Sequence, residues 1–442
     1  MRIMEKNKND KIKKSKEIIK KEKEKIKEEK KKLKEEKRQK FYNTKLGKIL
    51  KKIFFLNSSS QLNTESIIYH EILGAILCLL VLFFLSGGKN YIKLYKDLQK
   101  LINVYDTISS DYYQEIDKNK LIDNAIESML SATGDSYTTY TNKQNTKDFL
   151  ETVSGTYEGI GCMVTMDESG NISVLNIFDN SPAQKAGLQE KDIILKIDGQ
   201  DYQGKTSEDM SNYVKNSQNS KIELTIKRGT EEKNITINRQ KVEVPSVTSK
   251  IIEKDNKKIG YIDISLFSSV TYKQFKKQLS AMEKKKIQGL IIDVRDDSGG
   301  YLTSVTEISS LFLKKGAIIY QLEEGKKKEV VKDKTAEKRG YPIAVLVNAA
   351  SASASEILAS AIKESYHGFV VGVNTYGKGT VQKTKKMSDG SMIKYTVQKW
   401  LTPNGNWINE KGVTPTDIIA NESTSKDDQL EKALELVKGK IK

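Results

Sequence analysis

VLVNAASASASEILASAI, residues 345–362, decides the fold: an apolar run of strand length gives way to a string of small residues and then to a helical pattern. An apolar run without alternation suits a strand covered on both faces, as in a parallel sheet. Ser353 falls at the start of the helix, where unpaired backbone N–H groups favour developing negative charge, a position that suits a nucleophile. Taken alone, SASASE reads equally well as a helix-capping stretch. Around it, residues 259–420 alternate apolar strands (260–265, 289–295, 343–348, 369–373) with amphipathic helices (272–285, 303–313, 353–364), which predicts an α/β domain. A polar linker (421–428) and one more amphipathic helix (429–437) follow.

Upstream, residues 155–241 consist of short β-branched segments, and residues 91–150 are helical in pattern, with Leu98, Leu101, Ile102 and Tyr105 and then Leu121, Ile122, Ala125, Ile126 and Met129 at spacings of three and four. Within the β-rich region, NSPAQKAGLQEKDIILKIDGQDYQG (180–204) carries a helix start at Ser181-Pro182, a stop at Gly187, a strand and an Asp198-Gly199 turn. Before it, Gly159-Ile160-Gly161 opens a strand from Cys162 to Met166. Glycines at a strand edge let backbone N–H groups face a carboxylate unobstructed. Together these residues resemble a PDZ domain, a module that binds peptide C-termini by adding them as a strand to a sheet edge. A β-domain of this fold with a blocked groove is the competing reading of its role.

The formal net charge of +17 is uneven: residues 1–56 hold 23 Lys/Arg against 9 Asp/Glu, leaving +3 for the rest. Nucleic-acid binding by this tail is disfavoured, because its Lys/Glu alternation offers no aromatic for base stacking before Phe41 and Tyr42. Ile12, Ile19, Ile26 and Leu33 recur at intervals of seven, half of a coiled-coil signal; a solvated helix or a disordered tail fits as well. Residues 67–85, IIYHEILGAILCLLVLFFL, have the length and apolarity of one membrane span. A secretory signal is the alternative, but the 66 preceding residues are too long for its basic region and Ser86-Gly87-Gly88 is a poor cleavage site. Lys51 and Lys52 precede the span, so the amino terminus is expected in the cytoplasm and the folded domains outside. Two cysteines, Cys78 and Cys162, predict no disulfide framework.

Histidine is limited to His70 and His367, and no HExxH or CxxC pattern occurs, so neither a Ser/His/Asp triad nor metal chemistry is favoured and no cofactor is expected. YGKGTVQ, residues 376–382, instead offers a lysine between glycines. At this point the chain, over about residues 98–437, resembles the C-terminal processing peptidases, or tail-specific proteases, in which the nucleophilic serine precedes a general-base lysine by 25 residues. That register selects Ser353 with Lys378, rather than Ser351 or Ser355. The resemblance places the family's supporting glutamine on Gln382 and its glutamate on Glu356. DVRDDSGG (293–300) resembles the family's DLRxNxGG, which assigns the oxyanion hole to the amides of Gly299 and Ala354; Asp297 stands where asparagine is common. Residues 389–416 follow the family as well.

Together with the apolar run at 67–85, which is read as a single transmembrane helix, the resemblance implies an α/β plus β protein with a helical N-terminal region, a PDZ domain and a ClpP/crotonase-like α/β serine protease core. The expected boundaries are a cytoplasmic tail at 1–66, the span at 67–88, the helical region at 89–154, the PDZ domain at 155–241, the protease core at 242–420 and a C-terminal linker and helix at 421–442. Partners are then proteins or peptides with accessible C-termini, held at Gly159, Ile160 and Gly161, together with a membrane and a homodimeric second copy, and no nucleic acid. The chemistry is consistent: a neutral amine can take the serine proton, and bringing a lysine from about 10.4 to neutrality requires burial to depress it by about 3 units. A proteolytically inactive adaptor is the alternative of a different class, opposed by the presence of every expected catalytic residue.

Overall fold

The computed structural model describes residues 88–335, 339–420 and 426–441, with a few isolated positions before residue 88 (28, 32, 36, 40, 44, 73–78 and 81). The chain divides into two units, 1–114 and 115–442. In the first, the helix Gly88–Asp111 exposes Leu94, Leu98, Leu101 and Ile108, which with half-buried Tyr105 alternate at spacings of four and three. The heptad stripe from Ile12 to Leu33 lies outside the described residues, as does all of 67–85 except 73–78 and 81. Among the described residues no helix is long and apolar enough to cross a membrane, so the expected transmembrane helix has no counterpart in the described structure.

The second unit is built on a six-stranded sheet in the order Val247–Lys254, Lys257–Ile264, Gly289–Asp293, Ile343–Val347, Phe369–Gly372, Asp417–Ile418; the first pair is antiparallel and the rest are parallel. Every residue of Gly289–Asp293 and Ile343–Val347 is buried, as unalternating apolar strands require. Their period of two sends Leu290, Ile292, Val345 and Val347 to one face, against Phe275, Leu279, Ile308, Ile357 and Leu358 of the helices Thr271–Lys284, Leu302–Ser310 and Ala354–Ala361. Ile291, Ala344 and Leu346 go to the other face, which the C-terminal helix Asp428–Lys440 covers with Ala433, Leu434 and Val437. The helix expected over 353–364 ends at Ala361 and widens into a π turn, Ile362–Tyr366, that His367 closes in a left-handed conformation.

A second sheet packs beside the first: Thr139–Thr141, Met392–Leu401, Ile318–Glu324 and Lys327–Lys332, with Thr380–Lys386 also paired to Met392–Leu401. Thr139–Thr141 corrects the helical expectation for residues 91–150. The helices Lys118–Ser131 and Lys143–Ser154 are there, but between them a three-residue strand is recruited by a partner some 250 positions away, Thr139 opposite Lys394. The PDZ region forms its own sheet, Cys162–Met166, Ile172–Ile177, Ile193–Ile197, Lys221–Arg228 and Glu231–Asn238, over a separate core of Ile172, Ile194, Ile197, Leu224 and Ile226. Ser181 caps the short helix Pro182–Lys185, with proline at its start, and Asp198-Gly199 turns with both φ values positive. The ribbon Thr156–Gly159 with Gln240–Glu243 joins this domain to the core.

Two glycines separate steric from merely conformational demand. Gly372 ends a central strand at φ 141°, where a Cβ would run into the Val347 carbonyl, whereas Gly199 at φ 79° faces open space. Gly372→Ala is expected to lose at least about 3 kcal/mol in urea denaturation and Gly199→Ala about 1 kcal/mol; equal losses would contradict the packing described.

Candidate active site

The strand Ile343–Val347 ends at the carboxyl edge of the parallel sheet, where open α/β folds place their sites. The next residues loop back into the helix Ala354–Ala361, and the serines divide their work. The Ser351 hydroxyl donates to the Val294 carbonyl at 2.7 Å and that of Ser355 to the Asp297 carbonyl at 3.0 Å, both fully buried and both tying the loop to the neighbouring strand end. Ser353 is half-buried at the helix start, with φ 56° and ψ −110°, a conformation a non-glycine residue adopts only when its surroundings impose it.

Glu356 is what imposes it. Its carboxylate, fully buried, accepts four hydrogen bonds: from the Ser353 N–H at 2.8 Å and the Lys378 N–H at 2.9 Å on one oxygen, and from the Gly377 N–H at 2.7 Å and the Thr375 hydroxyl at 2.6 Å on the other. One side chain thus clamps the serine loop to the lysine loop. Burial raises its pKa, opposed by these donors. The lysine loop is fastened from outside as well: the indoles of Trp400 and Trp407 donate to the carbonyls of Lys378 and Gly379 at 2.7 and 2.9 Å. Gly377 and Gly379 sit where a Cβ would strike the backbone amides of Glu410, Lys411 and Asn409, so the lysine loop packs directly on the backbone of that segment.

Lys378 is half-buried, and its pKa is lowered, first by burial and then by the Lys394 ammonium; Glu356 and Asp135 pull the other way. No hydrogen bond joins its Nζ to Ser353 Oγ. Nζ lies over the ring of Tyr137, 5.0 Å from the centroid. Gln382 donates to the hydroxyls of Thr380 (2.9 Å) and Thr396 (3.1 Å) and likewise makes no hydrogen bond to Lys378. Sequence reasoning placed Ser353, Lys378 and Gln382 in one neighbourhood, and the structure brings their segments together without closing a hydrogen-bonded triad. Tyr137, Thr375, Trp400 and Trp407 were missed; the available signal was that the chain's two tryptophans both fall within 389–416.

Gly299 packs against Ser353, since a Cβ there would approach Ser353 Cβ at 2.8 Å and the Ala354 nitrogen at 2.9 Å. Its N–H, however, is not free: it donates to Asp297 Oδ1 at 2.8 Å. Asp297 is fully buried, its second oxygen has no partner, and burial pushes its pKa up to about 8. In the PDZ domain, a cavity of about 90 Å³ between the strand Cys162–Met166 and the helix Ser207–Asn216 is lined by Ile160, Cys162, Val164, Met210 and Val214. The Tyr157 ring lies against Gly159 at its head. Cys162 and Cys78 are free thiols, and His367 is exposed at its turn.

An α/β core carrying a serine on a strained strand-to-helix turn, clamped to a half-buried lysine and joined to a PDZ-like β-domain, is the architecture of a PDZ-containing serine-type peptidase. Comparison with known proteins agrees. The profile of peptidase family S41 matches residues 258–419, that of the PDZ domain 159–238, and that of the activating protease CtpB N-terminal domain 86–145. The chain is 42% identical over 328 residues to the carboxy-terminal processing protease CtpB of Bacillus subtilis, covering 73% of this chain and 68% of that one. It is 37% identical over 326 residues to a "Probable CtpA-like serine protease" of Staphylococcus aureus strain N315, covering 73% and 65%. A solved photosystem II D1 C-terminal processing protease aligns over 76% of this chain and 90% of that one, at 25% identity and a TM-score of 0.45. The chain belongs to the C-terminal processing peptidases of family S41.

Asp297 makes a pH-dependent demand on stability. Its folded pKa lies above the unfolded value of about 3.9, so its contribution is most favourable below about pH 4 and is lost as pH rises through about 8. Asp297→Asn removes that loss. The melting temperature of the variant is expected to exceed that of the parent by on the order of 5 °C at pH 8 and by much less at pH 5; a difference independent of pH would show that the carboxyl is not held in this way.

Proposed function

We propose that the protein is a membrane-anchored endopeptidase that recognises protein C-termini at its PDZ groove and cleaves peptide bonds with Ser353 as nucleophile and Lys378 as general base. The observation that carries this reading is the Glu356 clamp, which holds the two residues' backbones on a single carboxylate. Burial and Lys394 both disfavour the lysine's charge, as a base working near neutrality requires. Gln382, which donates to Thr380 and Thr396, takes the role of orienting the amine without adding a charge. The amide of Ala354, at the first turn of the nucleophile's helix, serves as one oxyanion donor, and that of Gly299 as the second once it leaves Asp297.

The apolar groove at Ile160, Cys162 and Val164, headed by Gly159-Ile160-Gly161, suits an extended tail ending in an apolar residue. Anchoring rests on the apolar run at 67–85, and the lysine-rich segment before it places the amino terminus in the cytoplasm and the PDZ and protease domains outside. Homodimerisation is supported by the stripe of Leu94, Leu98, Leu101, Tyr105 and Ile108, whose spacing is that of a coiled-coil seam.

Ser353→Ala and Lys378→Ala, each in the full-length chain, are expected to lower cleavage of denatured casein by at least about a thousandfold while leaving the melting temperature close to that of the parent. Retention of parental turnover by either variant would reject the Ser/Lys mechanism.

A further inference from the structure

The ring that meets Lys378 comes from outside the protease domain proper. Residues 134–141 follow the helix Lys118–Ser131 and add Thr139–Thr141 to the edge of the sheet strand Met392–Leu401. Asp135 fixes the turn, accepting from the Tyr137 N–H at 3.0 Å and the Thr138 hydroxyl at 2.6 Å. The Thr138 hydroxyl in turn accepts from the Thr396 N–H at 3.2 Å, and the Thr396 hydroxyl accepts from Gln382. This chain of contacts lays Tyr137 over the lysine. Four groups facing Lys378 act on its charge: Lys394 on the sheet strand opposes the ammonium, while Glu356 on the nucleophile helix, Asp135 on the same turn and the Tyr137 ring favour it.

We propose that Tyr137 is a positioning residue for the base: its ring favours Lys378 as an ammonium that makes no hydrogen bond to Ser353, and loses its hold when the proton leaves. The geometry supplies the logic. A cation 5.0 Å from a ring centroid is attracted by the negative π face, and a neutral amine is not. Loss of the proton to water therefore does two things at once: it makes the amine a base and ends its attraction to the ring, freeing the side chain to move. Tyr137 itself remains uncharged throughout, since burial and the neighbouring Tyr376 hydroxyl push its phenol up to about 12. The inference rests on the assignment of Lys378 as base, but its effect on the lysine's charge can be read without any turnover.

The test is competitive labelling of the full-length chain with trace acetic anhydride across pH, with acetylation of Lys378 read by mass spectrometry, alongside the pH profile of kcat/KM on denatured casein. Tyr137→Met and Tyr137→Leu keep apolar bulk and remove the π face; Tyr137→Phe keeps the face. Removing the face withdraws stabilisation from the charged form, so the labelling midpoint of Lys378 is expected to fall by roughly half a unit to one unit in the Met and Leu variants, with the acidic limb of kcat/KM moving the same way. In Tyr137→Phe both are expected to stay at the parental position. The Met variant covers the case in which Leu fails to fold. A midpoint unchanged or raised in Met and Leu, or lowered equally in Phe, would overturn the proposal, because a purely structural role lowers kcat without moving the lysine's titration. Should Lys378→Ala retain activity, the Ser/Lys reading fails, and the labelling midpoints still decide the role of Tyr137.

Discussion

A single buried carboxylate sets the geometry of this site. Glu356 receives donors from three backbone amides and one hydroxyl, drawn from two loops that leave different strands of the parallel sheet. Hydrogen bonds to a charged acceptor contribute about 1.5–3 kcal/mol each, whereas stripping water from a lone carboxylate costs several kcal/mol. Four good donors are therefore what allow the charge to be buried at all, and none can be withdrawn cheaply. The strained backbone of Ser353 and the tight path of Gly377 through Gly379 follow from that demand.

The sheet explains why the two loops are there to be clamped. Parallel strands deliver successive connections to the same edge, and the strands Ile343–Val347 and Phe369–Gly372 are neighbours in it. The first leads into the serine loop and the second towards the lysine loop. Gly299, after the adjacent strand Gly289–Asp293, completes the edge by packing against Ser353. The arrangement leaves Asp297 in an unusual place, a fully buried carboxyl with one satisfied oxygen, bonded to the Gly299 amide that packs against Ser353.

Much of this was legible in the residues. The apolar strands and the helices packed on them fell within a few positions of their final bounds because periodicity and burial agree there. The family register singles out Ser353 with Lys378 among three serines; in the structure the hydroxyls of the other two, Ser351 and Ser355, donate to loop carbonyls. What escaped were facts of tertiary contact. A three-residue strand at Thr139–Thr141 has no period of its own and exists only through its partner. The engagement of the Gly299 amide by Asp297 is a turn that the Asp-Asp-Ser-Gly-Gly run hints at without fixing. The lysine's resting place over Tyr137 depends on a ring more than 200 positions away, which no local pattern reports.

The two loops are held together through the Glu356 carboxylate, and Glu356→Gln addresses that directly, since an amide of the same shape brings N–H groups where acceptors are needed. With steady-state kinetics on denatured casein, kcat is expected to fall by at least about a hundredfold while KM changes by less than about threefold, because the peptide groove is untouched. A variant with parental kcat would contradict the claim that this carboxylate builds the site.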